Sequence, residues 1–465
     1  MSLRSLFSAK DMTVGSPWKR IMEFAIPMLI GNFAQQLYNT ADSIIVGKFV
    51  GDNALAAVGS AMPILNLLLA LFVGIATGAG IVVSQSFGAR DRDGLSKAVG
   101  NCIALSFLAT AVIMVLGPLV TMPLLTLLGT PDSIIGWCAQ YLNIYFLGIL
   151  GFFFYNMLSG VLRGLGDSVS ALGFLLLAAA LNVVLDLWFV RRMGVAGVAL
   201  ATVISQFISA IFCYIKLARM RDVFDLGLKT MKLIPAVAGR ILRIGIPSGI
   251  TQAIMATAGM VVLNLTNAMG ETVIACNVIV MRVDGFAMLP NMTFGQAMSV
   301  YTGQNVGAQK FDRVHKGVKQ GGMIAAAFST VITLTLLFLS PILFGFFTKT
   351  PELIDLATRM IRIMAVGYIC ISVTQVLGGV MRGAGDTVSP MWISIISTIV
   401  IRVPTAYLVA YLTRSPEFPH GQPIALFGSL MFSWVMGMLI SVVVFAIGKW
   451  KKKMYVSRSV GPELD

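Results

Sequence analysis

Long apolar stretches dominate the pattern of hydrophobic and polar positions along this 465-residue chain. Each stretch reaches the roughly 20 residues that an α-helix needs to cross a bilayer, and charged residues, Gly or Pro separate the stretches. The pattern predicts twelve transmembrane helices, at 20–47, 54–86, 98–122, 135–162, 168–190, 196–218, 238–268, 274–304, 318–346, 355–381, 388–413 and 424–449. We therefore expect an all-α polytopic membrane protein, because helices satisfy every backbone polar group inside the bilayer.

Composition agrees with this assignment and narrows the chemistry. Hydrophobic residues make up 57% of the chain and charged residues only 12%, whereas soluble domains are about 25% charged. A soluble enzyme and a nucleic-acid-binding protein are therefore excluded, despite the net charge of +14. The five cysteines are scattered singly and the two histidines have no ligand partner at a useful spacing, so we expect no cofactor. The chain contains no phosphate-binding GxxxxGK[ST] loop, which argues against ATP as the energy source.

The distribution of basic residues predicts the orientation of the chain. An even number of spans places both termini on one side, and the connections on that side hold 25 of the 34 Lys and Arg residues. The positive-inside rule assigns the richer side to the cytoplasm. We expect a multi-pass protein of the cell (inner) membrane with both termini cytoplasmic, and with Lys451, Lys452 and Lys453 at the lipid headgroups.

The two halves of the sequence repeat each other. Arg163-Gly-Leu-Gly-Asp-Ser168 recurs as Arg382-Gly-Ala-Gly-Asp-Thr387, and three other short motifs recur in the same order at offsets of 219 or 220. Because the offset spans six helices, the repeat is parallel and predicts two pseudo-symmetric six-helix bundles. The predicted organisation is a cytoplasmic segment at 1–19, a first lobe at 20–218, a linker at 219–237, a second lobe at 238–450 and a cytoplasmic tail at 451–465.

Two similar bundles joined by a cytoplasmic linker are typical of alternating-access transporters, with the substrate path between the halves. A channel or an inert scaffold is the alternative that the duplication leaves open. The repeated Arg-Gly-x-Gly-Asp motif has a local interpretation. Asp167 and Asp386 are expected to cap the helices that follow them, and Arg163 and Arg382 to face headgroups or helix-end carbonyls.

Three acidic residues lie well inside predicted spans: Asp42, Asp186 and Asp284. A charge in the hydrocarbon costs about 3 kcal/mol or more, which makes such residues candidates for function. Asp42 and Asp186 both lie about 7 Å inside the outer end of their spans. Asn182 precedes Asp186 by one helical turn, and Thr202 reaches a similar depth on the next span.

Carboxylate, amide and hydroxyl oxygens at one depth suit protons or Na⁺ and disfavour soft metals. The alternative is an Asp–Asn hydrogen bond that only fixes helix packing. The second half lacks this set, because offset 219 aligns it with Val261, Ile401 and Thr405. Further polar residues inside the spans are candidates for the substrate cavity: Gln35, Tyr38, Asn39, Asn156, Arg282, Asp284 and Arg402. Asp284 is also a candidate salt-bridge partner for the intramembrane arginines. The functional alternative to this structural role is that these charged residues form a gate.

These features resemble the multidrug and toxic compound extrusion (MATE) transporters, and the first half resembles their DinF-like branch. The features are two matching sets of six spans and, in order, Ile26-Pro27, Tyr38-Asn-Thr-Ala-Asp42, Gln85…Gly88-Ala89, Arg163-Gly-Leu-Gly-Asp167, Asn182-Val-Val-Leu-Asp186 and Gly197…Ala201-Thr202. The resemblance covers about 20–450 and implies two six-helix lobes that open alternately to each side. It also implies a cation-coupling site at Asp42, Asn182, Asp186 and Thr202, which are metal ligands only if Na⁺ is the coupling ion.

The expected function is therefore an antiporter that exports organic, cationic drugs or toxic compounds against H⁺ or Na⁺. A flippase of lipid-linked saccharides from the same superfamily is the alternative, although its anionic substrates would need more basic residues than Arg282 and Arg402. A membrane enzyme or receptor is a more distant alternative. The expected partners are small organic molecules and membrane lipids, with no nucleic acid, and the protein is expected to be monomeric.

Overall fold

A computed structural model describes residues 8–49, 52–227 and 230–456. Within these ranges, the side chains of 39, 41–48, 52–56, 63 and 453–456 lie outside the description. The described chain is folded into helices joined by short connections.

Sixteen α-helices and one π-helical segment follow one another in the described part of the chain. They are α1 (Pro17–Phe49), α2 (Asp52–Gly88), α3 (Arg92–Leu127), α4 (Asp132–Leu147), α5 (Leu150–Gly164), α6 (Ser168–Met193), α7 (Val195–Ala218), α8 (Pro235–Ala268), α9 (Glu271–Gly307), α10 (Phe311–Gly345), α11 (Pro351–Ala365), α12 (Gly367–Gly383), α13 (Val388–Ser394), the π-helical segment (Ile395–Arg402), α14 (Val403–Leu412), α15 (Ile424–Ile447) and α16 (Lys449–Val456).

Among the described residues, nine helical stretches are long and apolar enough to cross a membrane. One of them combines α13, the π-helical segment and α14 into a stretch over Val388–Leu412. The pairs α4–α5 and α11–α12 each form one further bent span, which gives eleven. The 33-residue helix α1 completes the twelve-helix arrangement. The predicted all-α membrane fold is therefore confirmed.

Two of the predicted spans are not continuous helices. The chain bends by 54° between α4 and α5 and by 43° between α11 and α12, so the predictions of unbroken helices at 135–162 and 355–381 were wrong. A glycine lies at each break, Gly148 in the first half and Gly367 in the second. A Cβ atom on Gly148 would collide with Val203 of α7, and one on Gly367 would collide with Trp434 of α15. The sixth span of each half thus approaches the break in the fourth span closely, and apolar periodicity alone does not reveal this approach.

The chain packs into two compact units, each with its own hydrophobic core. The first unit comprises Glu23–Gly249 together with the segment that ends at Met12, and the second comprises Thr13–Met22 and the chain from Ile250. The first six residues of α1 are therefore divided from the rest of that helix, because Pro17–Met22 packs with the second unit. Likewise, α8 begins in the first unit and continues in the second.

The internal repeat extends to individual packing contacts. In the first unit, a Cβ atom on Gly160 of α5 would lie 2.7 Å from the carbonyl oxygen of Ala76 on α2. In the second unit, Gly379 of α12 makes the same close approach to the carbonyl oxygen of Gly295 on α9. Gly379 follows Gly160 by 219 positions, and Gly295 follows Ala76 by the same number, so this contact repeats together with the sequence. Small residues permit this backbone contact, which is the main source of specific helix packing in lipid.

The repeated turns also match in detail. Asp167 accepts hydrogen bonds from the backbone nitrogen of Ser170 at 2.9 Å and from its hydroxyl at 2.7 Å. Asp386 accepts the same two bonds from Ser389, at 3.3 and 2.6 Å. The preceding turn needs a left-handed residue, with φ of +80° at Gly166. The predicted capping role of both aspartates is confirmed.

We predict that Gly160→Ala destabilises the first unit, because the new methyl group overlaps the Ala76 carbonyl. Overpacking of this kind costs about 1–3 kcal/mol in unfolding free energy. Gly173→Ala on α6 is the matched control, since no atom of the protein lies within 4 Å of that Cβ position. Unfolding of the purified protein in detergent should show a lower midpoint for Gly160→Ala and an unchanged or raised midpoint for the control. Equal midpoints for the two variants would contradict the proposed packing.

Candidate functional site

Asn182 and Asp186 lie one turn apart on α6 and are almost completely buried, with 1% and 0% of their surfaces exposed. The helix ends at Met193, and Gly194 reverses the chain directly into α7. Gly194 has φ of +56°, a value that glycine adopts without strain. This tight reversal packs α6 and α7 as neighbours and brings Thr202 level with Asn182.

Asn182 is the centre of a hydrogen-bonded cluster that joins three helices. With its amide oriented to suit its neighbours, its nitrogen donates to Asp186 Oδ2 at 2.7 Å and to the Tyr38 hydroxyl at 3.0 Å. Its amide oxygen accepts from the backbone nitrogen of Thr202 at 3.0 Å and lies 3.2 Å from Thr202 Oγ1. The Thr202 hydroxyl also donates to the Val198 carbonyl at 3.0 Å. The structure therefore brings together three of the four predicted coupling residues, Asn182, Asp186 and Thr202.

The contribution of α1 to this cluster is described only in part. The Tyr38 hydroxyl accepts a hydrogen bond from Asn182, and the placement of Tyr38 in a substrate cavity stays a prediction. Helix α1 runs through Asn39 and Asp42, but the side chains of both lie outside the described residues. Gln35 is half-buried on the same helix, one turn before Tyr38. The pairing of Asp42 with Asp186 stays a prediction.

Asn156 lies elsewhere in the first unit. Its amide donates back to the Phe152 carbonyl one turn earlier at 2.9 Å. It lines a cavity of about 230 Å³ whose other walls are almost entirely apolar, including Phe72 and Phe153. Asn156 is thus the main polar group of an apolar pocket, and within the described part of the chain it makes no hydrogen bond to the Asn182 cluster.

In the second unit, Asp284 is held by a tyrosine. The Tyr368 hydroxyl donates to Asp284 Oδ1 at 2.7 Å, and the Tyr368 ring packs on Trp434 with ring centroids 5.3 Å apart. No ion pair shorter than 4 Å joins Asp284 to Arg282 or Arg402 among the described residues. The suggested salt bridge is therefore absent there. Arg282 is exposed, because residues two apart on a helix point to different faces.

Sequence reasoning missed Tyr368, although a depth comparison would have found it. Asp284 lies thirteen residues after the start of α9 and Tyr368 seventeen after the start of α11, so about 20 and 26 Å along their spans. Arg402 ends the π-helical segment, and its buried Nε has no hydrogen-bond partner in the described part of the chain. These residues form a second polar region, separate in sequence and composition from the Asn182 cluster.

The Asn182 cluster offers oxygen ligands and little else. A carboxylate, an amide oxygen and two hydroxyl groups are hard donors, which bind H⁺ or Na⁺ in preference to soft metals. Among the described residues, no group of three or more His, Cys, Asp and Glu side chains converges to hold a metal ion. If Na⁺ binds here, the available ligands are Asp186, Asn182 and Thr202, with Asp42 as the predicted fourth.

Comparison with known proteins agrees with the duplicated architecture. The sequence profile of the MatE family matches the chain twice, at residues 27–188 and 247–408. The probable multidrug resistance protein YpnP of Bacillus subtilis is 30% identical over 458 residues, which covers 95% of this chain and 98% of the relative. The probable multidrug resistance protein YoeA of the same organism is 27% identical and covers 86% of this chain and 88% of the relative.

A solved structure shows the same fold. The structure of a MOP superfamily transporter from Pyrococcus furiosus, reported to have a binding pocket of reversed polarity, superimposes with a TM-score of 0.86. The sequence identity is 24%, and the match covers 97% of this chain and 99% of the other. Because the family profile matches both halves and a 30% identical relative spans almost the whole chain, this protein belongs to the MatE family of multidrug and toxic compound extrusion transporters.

Proposed function

We propose that the protein is a cation-coupled antiporter that exports organic, cationic compounds by alternating access. H⁺ or Na⁺ is the driving ion, and it binds at Asp186 with Asn182, Thr202 and Asp42. The observation that supports this proposal is the buried Asp186 carboxylate, which accepts a 2.7 Å hydrogen bond from Asn182 inside a membrane helix.

Asn182 positions the Asp186 carboxylate without neutralising its charge. Asn182 is a neutral group that donates a 2.7 Å hydrogen bond to Asp186 Oδ2, and a hydrogen bond from a neutral donor leaves the carboxylate negatively charged. An ionisable residue inside a membrane span costs folding free energy, and a purely structural hydrogen bond does not require one. An asparagine at 186 would fill the same space at lower cost.

Asp42 supplies a second acid by helical spacing. It follows Tyr38 by four residues on α1, and this spacing predicts that it shares the helix face of Tyr38. Two neighbouring carboxylates bind a cation more tightly than one, and they exchange protons as a pair. The second half has Val261, Ile401 and Thr405 at the equivalent positions, which supports a coupling site confined to the first half.

The substrate class and the orientation follow from two further arguments. Relatives across nearly the full length are named as probable multidrug resistance proteins, and an acidic site favours the export of cations. The concentration of 25 of 34 basic residues on one side supports cytoplasmic termini and a cytoplasmic linker. The DinF-like resemblance of the first half supports the same four coupling residues.

The first test of this function is the loss of charge at Asp186. Asp186→Asn keeps the shape and the hydrogen bond to Asn182, so the protein should fold, while cation-driven efflux from liposomes should fall to background. Na⁺ and pH gradients are imposed separately, with the exposed Asp132→Asn as the matched control that keeps full transport. Asn182→Ala and Thr202→Ala remove one ligand each and should weaken cation binding by about tenfold to a hundredfold.

The same assay separates the two polar regions. Asp284→Asn removes the half-buried carboxylate of the second unit and should leave the dependence on the driving ion intact. If Asp186→Asn keeps full, ion-dependent efflux and Asp284→Asn loses it, the coupling site lies in the second unit and the proposal is wrong.

Topology has a separate test. All five native cysteines are buried, so single added cysteines report accessibility with little background. Asp222→Cys in the linker should react with an impermeant maleimide only after the membrane is opened, whereas the exposed Glu417→Cys, in a predicted external loop, should react in intact cells. Labelling of Asp222→Cys from outside intact cells would contradict the proposed orientation.

A further inference from the structure

The first spans of the two halves begin with the same dipeptide. Arg20-Ile21 of α1 recurs as Arg240-Ile241 of α8 at an offset of 220, and both isoleucines are completely buried. Each of these helix starts packs with the unit that holds the other half of the chain. The start of α1 belongs to the second unit, and α8 belongs to the first unit as far as Gly249. The repeat therefore includes an exchange of the two helix starts.

In the second unit, side chains at the start of α10 hold the segment that leads into α1. The Lys310 ammonium donates to the Thr13 carbonyl oxygen at 3.0 Å, which is a charge-assisted hydrogen bond. The side-chain oxygen of Gln320 accepts from the backbone nitrogen of Trp18 at 3.0 Å. This bond satisfies one of the N–H groups that the first turn of a helix leaves free. Helix α10 thus caps α1 from outside.

Two further contacts strengthen this attachment. Arg313 of α10 donates to the Gly15 carbonyl oxygen at 2.8 Å. A Cβ atom on Gly321 would lie 3.2 Å from Ile21 Cδ1, so the buried Ile21 packs directly on α10. We call the contacts of Lys310, Arg313, Gln320 and Gly321 with this segment the α1 anchor.

In the first unit, equivalent positions hold the start of α8. The side-chain oxygen of Asn101 on α3 accepts from the backbone nitrogen of Ile234, the residue before α8, at 2.8 Å. Asn101 and Gln320 are repeat equivalents, 219 positions apart. Arg240 donates to Gln85 Oε1 of α2 at 2.7 Å. We call the contacts of Asn101 and Gln85 the α8 anchor. In both units, an amide oxygen of the third span of one half holds the start of the first span of the other half.

The linker before α8 is also fixed along α3. Arg92 and Asp225 form an ion pair at 2.8 Å, and the Ser96 hydroxyl oxygen accepts from the backbone nitrogen of Asp225 at 2.8 Å. A Cβ atom on Gly100 would overlap the carbonyl oxygen of Thr230. The α8 anchor is therefore continuous with a row of linker contacts along one helix.

We propose that both anchors stay closed throughout the transport cycle, so that the first turns of α1 move with the second unit and those of α8 move with the first. The inference rests on the proposed alternating-access function, in which the units rearrange. Each anchor combines a side-chain hydrogen bond to the backbone with a fully buried isoleucine, Ile21 or Ile241. Opening an anchor would break these bonds and expose apolar surface. Asn101 and Gln320 are thus positioning residues for transport.

The first test measures whether the α1 anchor opens. Lys19 follows Trp18, and Lys316 precedes Gln320 by one helical turn, and both lysines are exposed. The purified double variant Lys19→Cys, Lys316→Cys is treated with a short bis-maleimide in Na⁺ or K⁺ and at acidic or neutral pH. Its cross-linking yield is divided by that of Asp312→Cys, Lys316→Cys, an exposed pair one turn apart on α10. The ratio should not change with cation or pH, and a severalfold fall on adding Na⁺ or acid would overturn the proposal.

The second test measures export of the lipophilic cation ethidium by the protein in liposomes. Lys310→Met, Gln320→Leu removes the side-chain hydrogen bonds of these residues to the α1 segment. Export should slow by about threefold or more, since each lost bond shifts the population of the anchored form by about twofold to tenfold. Cross-linking of added Lys19→Cys and Lys316→Cys should restore the rate, because it replaces the lost attachment. The pair Asp312→Cys, Lys316→Cys should not restore it.

The outcomes separate this inference from the proposed function. A wild-type rate in the double variant, loss of export on cross-linking the otherwise wild-type protein, or equal rescue by both cysteine pairs would overturn the α1 anchor. Gln320→Glu keeps an acceptor oxygen and should export normally, whereas Gln320→Leu should be slower, and this comparison decides if the double variant fails to fold. Asn101→Leu should slow export similarly, and a wild-type rate there would overturn the α8 anchor. If the wild-type protein exports no ethidium under either gradient, the proposed function fails for this cation, and the cross-linking yields decide on the anchor.

Discussion

Close backbone contact between helices is the constraint on which the rest of this fold depends. In lipid there is no hydrophobic drive to bring two helices together, so their association relies on tight packing. Gly160 against the Ala76 carbonyl, and Gly379 against that of Gly295, join the second and fourth spans of each half at the same depth. The bends beside Gly148 and Gly367 involve the same close packing, because a side chain from the sixth span of each half lies directly against the glycine. Larger residues at these positions would force the helices apart and with them every polar group that the helices position.

The two halves share this packing but differ in the polar groups that it holds. The first half places a carboxylate and an amide at Asp186 and Asn182, whereas the second half has Thr405 and Ile401 there. In the second half, Arg382 folds back along α12 towards Gly378 and lines a small pocket. Duplication has therefore preserved the contacts between helix backbones, which tolerate little change, while side chains that face internal spaces have diverged.

Periodicity along single helices was sufficient to predict some of this arrangement. The four-residue spacing of Asn182 and Asp186 placed both on one face, and the repeated motif identified Asp167 and Asp386 as caps. It was insufficient where a partner comes from a different helix. Tyr368 of one span donates to Asp284 of another, and Arg382 lines a pocket whose other walls come from neighbouring helices. Such contacts depend on crossing angles and bends, which a one-dimensional pattern does not contain.

The position of Asn182 explains how an ion at Asp186 can affect more than its own site. Its amide bonds to α6 through Asp186, to α1 through Tyr38 and to α7 through Thr202. In the proposed cycle, a cation at Asp186 competes with the Asn182 nitrogen for the carboxylate, so binding weakens or redirects that hydrogen bond. The amide then changes its contacts with two other helices at once. A ligand shifts a conformational equilibrium only by its difference in affinity between the states. A residue whose bonding differs between the occupied and empty site, and which contacts three helices, supplies such a difference, and by reciprocity the arrangement of the helices sets the affinity for the ion.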